Sequence, residues 1–199
     1  MARSALSTIL VLAGFCLGTV LAAPLAAQEP SAEEAAMMEA MQKAATPGDP
    51  HAHLAGATGS FKATIKMWTD PTSPPTMTEG TSERKMILGG RVLEETFKAD
   101  MMGMPFEGLG HTGYDNVTGK YWGTWSDNMS TGVTVMEGTL DEATGKGTME
   151  GESPDPMTGK KVPMRIEMRM DDGKEVNDFY MTGPGGEMMK TMEIVYERR

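Results

Sequence analysis

The sequence predicts an all-β fold of antiparallel strands, with helix confined to a short N-terminal preface. Three observations predict it. From residue 59 onward, apolar and polar residues alternate in short runs, the period-two pattern of strands with one buried face. Turn-forming clusters divide those runs every eight to twelve residues or so, the rhythm of a sandwich or a barrel. No long helical pattern interrupts them, which argues against a parallel βαβ arrangement.

The first residues stand outside that fold. Arg3, the apolar run "LSTILVLAGFCLGTVLAA" and the small residues of "APLAAQEP" have the form of a secretory signal peptide. Cleavage is placed after Ala27, with Ala22 and Ala23 as alternative sites, so residues 1–27 are taken as the leader and the protein is expected to be exported, periplasmic or secreted. Cys16 is the only cysteine and leaves with the leader. A core rather than disulfides must then hold the mature chain. No second apolar stretch is long enough to span a bilayer. Losing Arg3 makes the formal net charge one unit more negative than the −10 of the whole chain. That balance argues against nucleic acid and anionic membrane surfaces as partners.

Residues 28–50 form the preface. Ser31 with Glu34 three residues on is a capping box. Met37, Met38, Met41 and Ala45 follow at helical spacing, and Pro47, Gly48 and Pro50 end the helix. "HAHLAGATG" reads as a second short helical turn at the head of the β domain, residues 51–199. "SFKATIKMW" then puts Phe61, Ala63, Ile65 and Met67 on one face. "MTEGTSERKMIL" and "RVLEETFKA" flank the hairpin signal Gly89–Gly90. "PFEGLGHTGYD", "KYWGTWSD", "GVTVMEGTLD", "KGTMEGES", "KVPMRIEMRM", "EVNDFYMTG" and "MMKTMEIVYER" are the further strands.

Three near-identical hexamers punctuate them: "DNVTGK" at 115–120, "DEATGK" at 141–146 and "DPMTGK" at 155–160. An Asp in first position bonds its own backbone two residues on. A Gly in fifth position supplies a positive φ at low cost. A phosphate loop would need an earlier glycine that is missing from "DEATGK" and "DPMTGK", and a calcium loop more converging oxygens. The hexamers are therefore expected to be turns.

The blocks "HAHLAGATGSF", "ILGGRVLEETF", "MPFEGLGHTGYDNVTGKYWGTWSDNMSTG", "DPMTGKKV" and "MEIVYERR" resemble the bacterial domain-of-unknown-function family fifteen-seventy-nine. The resemblance implies a single antiparallel, lipocalin-like β-barrel, exported in many members, with no established activity and no catalytic residues to carry over. With the strand count, it gives a barrel of about 8–10 strands. Lipocalin-like barrels open with Gly-x-Trp under an arginine of the last strand. Gly59-Ser60-Phe61 stands at that place here, with Arg198 as the implied partner and phenylalanine in place of tryptophan.

The leading functional expectation is a non-catalytic barrel holding a small apolar or amphipathic molecule, without a cofactor. Strand parity nominates Phe106, His111, Trp125, Val135, Met168 and Phe179 as the cavity lining. His111 is placed inward by taking Leu109 as an inward marker. A soft-metal site for copper is the rival: Met101, Met104, His51 and His53 have thioether and imidazole ligands at plausible spacings in a chain with 21 methionines. A solid barrel without ligand is the third reading. "WSDNMSTG" offers Ser, Asp and His111 nearby, but no nucleophile motif supports catalysis.

Overall fold

The computed structural model describes residues 30–70, 72–156, 158–183 and 185–199. The leader and its cleavage site lie outside these residues. Two helices, α1 (Ala32–Ala45) and α2 (Asp49–Gly56), precede ten strands. These are β1 (Gly59–Met67), β2 (Thr76–Ile87), β3 (Val92–Met101), β4 (Met104–Asp115), β5 (Lys120–Asp127), β6 (Thr134–Asp141), β7 (Lys146–Asp155), β8 (Lys160–Asp171), β9 (Lys174–Thr182) and β10 (Met188–Arg198). Each pairs antiparallel with its sequence neighbours, and β1 closes on β10 to complete a barrel. Closure leaves no unpaired strand edge.

The capping box at α1 forms as the sequence requires. Ser31 Oγ accepts from the Glu34 N–H at 3.3 Å, and Glu34 Oε2 accepts from the Ser31 N–H at 2.8 Å. No residue of α1 is buried. Its last carbonyls, which have no partner within the helix, are met by the barrel instead. Arg91 donates to Ala45 O, and Asn116 donates to the carbonyls of Lys43, Ala44 and Thr46.

The three hexamers are turns. Gly119, Gly145 and Gly159 have φ of 69°, 66° and 67°. Their N–H groups donate back to the carbonyls of Asp115, Asp141 and Asp155 at 2.8, 2.8 and 2.9 Å. Asp115 Oδ1 also accepts from the Val117 N–H at 2.8 Å, and Asp141 Oδ1 from the Ala143 N–H at 3.0 Å. These carboxylates are occupied in holding the turn.

The two ends of the barrel differ. One carries the turns β2–β3, β4–β5, β6–β7 and β8–β9, and α2 plugs it. Leu54 of α2 is buried in a cluster with Leu93, Tyr121, Met136, Met149 and Ile166. His51, also buried, packs its ring edge-on against Tyr114 and accepts the Gly48 N–H on Nδ1 at 3.1 Å. The other end carries the connections β1–β2, β3–β4, β5–β6, β7–β8 and β9–β10. No helix of the described residues lies over it.

Candidate functional site

The interior is built in two parts, a polar layer near the plugged end and an apolar mouth at the other. The polar layer centres on Arg84, 8% exposed. Its Nε donates to Glu95 Oε1 at 3.2 Å, and its Nη1 and Nη2 form a fork on Glu175 at 2.7 and 3.3 Å. Ser82 Oγ donates to Glu95 at 2.5 Å and Asn177 Nδ2 to Glu175 at 2.9 Å. The guanidinium carbon also sits 4.7 Å from the ring centre of Phe61 and 4.3 Å from that of Tyr196. Burial works against its charge, but Glu95 and Glu175 hold its pKa above the ordinary value. Burial and the same two carboxylates push the Tyr196 hydroxyl well above the usual tyrosine range.

Phe61 takes a second cation. Arg198, its direct partner on β10, lies 4.9 Å from the ring centre and donates to the carbonyls of Thr58 and Gly56. Gly59 permits this: a Cβ there would come 2.5 Å from Arg198 Nη1. The arrangement implied by the Gly-x-Trp comparison is present, with phenylalanine as the plug.

The mouth begins above Phe97, 1% exposed. Phe106 stacks on Trp125 with ring centres 6.3 Å apart and planes at 16°. Both rings meet Phe97 edge-on at 6.2 Å. Trp125 lies flat across β4, because Gly108 and Gly110 have no side chains to hold it off. A Cβ on Gly108 would come 2.2 Å from that ring. Trp125 Nε1 donates to Asp127 Oδ2 at 2.9 Å, so its polar edge is satisfied. Met67, Met101, Met192 and Phe179 pack around the same cluster, each half-buried. The mouth is thus filled by its own adaptable side chains. Two shallow hollows, of about 390 and 630 Å³, lie elsewhere: one over β6–β8 and one between α1 and the β4–β5 turn.

Of the residues nominated from sequence, Phe106, Trp125 and Phe179 share this inner region. Met168 faces inward too, but packs against the Leu54 cluster and beside Gly147. His111 and Val135 are corrections. Leu109 is 41% exposed and Val135 54%. Trp125 pairs with Gly110 on one side and Thr134 on the other, so Gly110, Trp125 and Thr134 share the inner face. His111 and Val135, one residue along, face out. There His111 Nε2 lies 3.5 Å from Glu94. Leu109 misled because it is an apolar residue on the solvent side, while the inner positions of β4 are glycines making room for tryptophan.

The copper set is also divided. His51 and His53 sit on α2 at the plugged end, while Met101 and Met104 face each other across the β3–β4 turn at the other. The length of β3 separates them, roughly 30 Å at about 3.3 Å per residue. Among the described residues, no three His, Asp or Glu side chains gather as a metal site.

Sequence reasoning missed the Arg84 layer. Ser82 and Arg84 alternate with Glu83 and Lys85, which marks a face but not which face is inside. The carboxylates come from β3 and β9, and pairing across 91 residues leaves no local signal.

The outer wall carries a second ion network. Glu193 accepts from Lys66 at 2.7 Å and from Lys190 at 2.6 Å, and Lys190 lies 2.6 Å from Asp178. Lys190 also sits over the Trp68 ring at 5.2 Å. Burial opposes ionisation of Glu193, but the two lysines win and draw its pKa down to about 2.

A closed ten-stranded antiparallel barrel, plugged at one end by a helix and lined at the other by methionine and aromatic side chains, is the class this chain falls in. It belongs to the family described as protein of unknown function DUF1579, whose profile matches residues 46–198. No curated protein matches the sequence.

Proposed function

We propose that this barrel is an exported, non-catalytic binding protein that takes a small apolar or amphipathic molecule at its unplugged mouth. The observation that carries the reading is the asymmetry of the two ends. Leu54 seals one end, while Phe106, Trp125, Phe179, Met67, Met101 and Met192 stay half-buried at the other with no helix of the described residues laid over them. A methionine has three rotatable bonds and no charge, so a wall of them can yield to a ligand and repack around it at low cost. Trp125 and Phe106 supply flat faces for ring or chain contact. Mouths of barrels of this kind of size are frequent ligand sites.

The polar layer below sets the depth of such a ligand. Arg84 is already forked on Glu175 and bonded to Glu95, so it offers no free cation to an acidic headgroup. A bound molecule would stop above Phe97 and leave its polar end at the rim. Native mass spectrometry of the protein purified from its own host tests the reading. A retained small molecule, lost on organic extraction and absent from a Phe106→Asp variant that still folds, is the expected result. A bare mass under conditions that keep other lipid carriers loaded speaks for the solid barrel.

A further inference from the structure

We propose a soft-metal site for a monovalent cation, Cu(I) or Ag(I), on the inner rim of the mouth, formed by the thioethers of Met164, Met181 and Met189. Met181 on β9 is the direct partner of Met164 on β8 and of Met189 on β10. Direct partners on antiparallel strands point to one face, so the three side chains form a row across three adjacent strands. That face is the interior: Phe179, two residues before Met181, packs against both core clusters. All three methionines are half-buried.

The row depends on an irregularity. The ladder between β9 and β10 shifts between Lys190 and Met192. Met192 pairs with Phe179, so an unbroken ladder would set Met189 opposite Thr182 and turn it outward. The extra residue brings Met189 round to Met181 instead. Gly183 leaves it space, since a Cβ there would come 2.5 Å from Met189 Sδ.

The chemistry follows from the donors. Thioether sulfur is neutral and soft and has no proton to lose. It suits Cu(I) and Ag(I) and is poorly matched to calcium, magnesium or zinc. Cross-strand partners start with Cβ atoms about 4.5–5.5 Å apart. The concave wall and three flexible torsions per side chain let three sulfurs converge on one ion. A single positive charge among neutral ligands needs no buried counterion, and the chain's net charge of −10 favours cation approach. This inference does not rest on the apolar-ligand reading, because Met164, Met181 and Met189 are not among the residues assigned to that guest.

The test is anaerobic Cu(I) titration of the purified protein against bicinchoninate, with X-ray absorption on the loaded form. The expected result is one tightly held Cu(I) per chain with sulfur alone in its first shell. Loss of even an outer-sphere partner weakens metal binding roughly ten- to a hundredfold, so Met181→Leu should weaken it by at least about tenfold. Leucine nearly conserves the volume, and unchanged circular dichroism would confirm that the variant folds. Met164→Leu should act alike if Met181→Leu does not fold, and Met104→Leu, on the far side of the mouth, should leave affinity unchanged. Absence of binding, nitrogen or oxygen in the first shell, or full affinity in both folded row variants would overturn the proposal.

Discussion

Replacing Arg84 by methionine removes the buried cation at the centre of the inner polar layer and keeps most of its volume. Side-chain exposure is 5% for Arg84, 19% for Glu95 and 28% for Glu175. Breaking a fully buried ion pair from one side costs about 3–5 kcal/mol, because a charge is left without compensation. Here two carboxylates are stranded, but both retain some water, which places the loss near the lower bound, about 3 kcal/mol. For a chain of this size that corresponds to roughly 6–12 °C in Tm. Urea melts of wild type and Arg84→Met near neutral pH should show that difference. A loss under about 1 kcal/mol near neutral pH would refute Arg84 as the brace of the interior.

Three further outcomes are expected. Gly159→Ala should cost about 1–2 kcal/mol from the left-handed backbone alone, since no described residue comes within 4 Å of its absent Cβ, and Gly145→Ala should cost more because Met170 Cγ lies 2.6 Å from such a Cβ; equal chemical melts for the two would sink the distinction. Gly108→Ala should displace Trp125, cost about 1–3 kcal/mol as overpacking and shift tryptophan emission to longer wavelength, whereas an unchanged spectrum would place that ring elsewhere. Glu193, with its folded pKa drawn down to about 2, contributes stability that is present above its unfolded value of about 4.5 and lost as pH falls toward 2; Glu193→Gln should be less stable than wild type at neutrality and lose less between those limits in acid titrations followed by circular dichroism.

Much of the barrel was legible because its signals are local. Alternation in "SFKATIKMW", positive-φ glycines in the hexamers and the Ser31–Glu34 capping box act within a few residues, and each formed as read. The contact between Phe61 and Arg198 was legible through likeness to other barrels. What failed was the choice of face. In β4 the inner positions Gly108 and Gly110 carry no apolar side chain, while Leu109 outside does, so the usual hydrophobic marker is inverted. His111 was turned by that inversion, and Val135 by a separate one on β6, where the valine is on the solvent side and Thr134 and Met136 take the inner positions. The Arg84 layer and the methionine row were not legible, because both depend on register between strands far apart in sequence. The row further depends on a one-residue shift in β10 that "MMKTMEIVYER" does not announce.

Entry of an apolar guest into the unplugged mouth would be read from the emission of Trp125. Trp122 packs over Gly113 and Trp68 lies under Lys190, both on the outer wall. A Trp68→Phe/Trp122→Phe variant therefore reports Trp125 alone. Titration of that variant with 1-anilinonaphthalene-8-sulfonate should give saturable quenching of a blue-shifted Trp125 and matching probe enhancement, at one probe per folded chain. A folded variant whose Trp125 emission does not respond to the probe, or that responds without saturation, would contradict the claim.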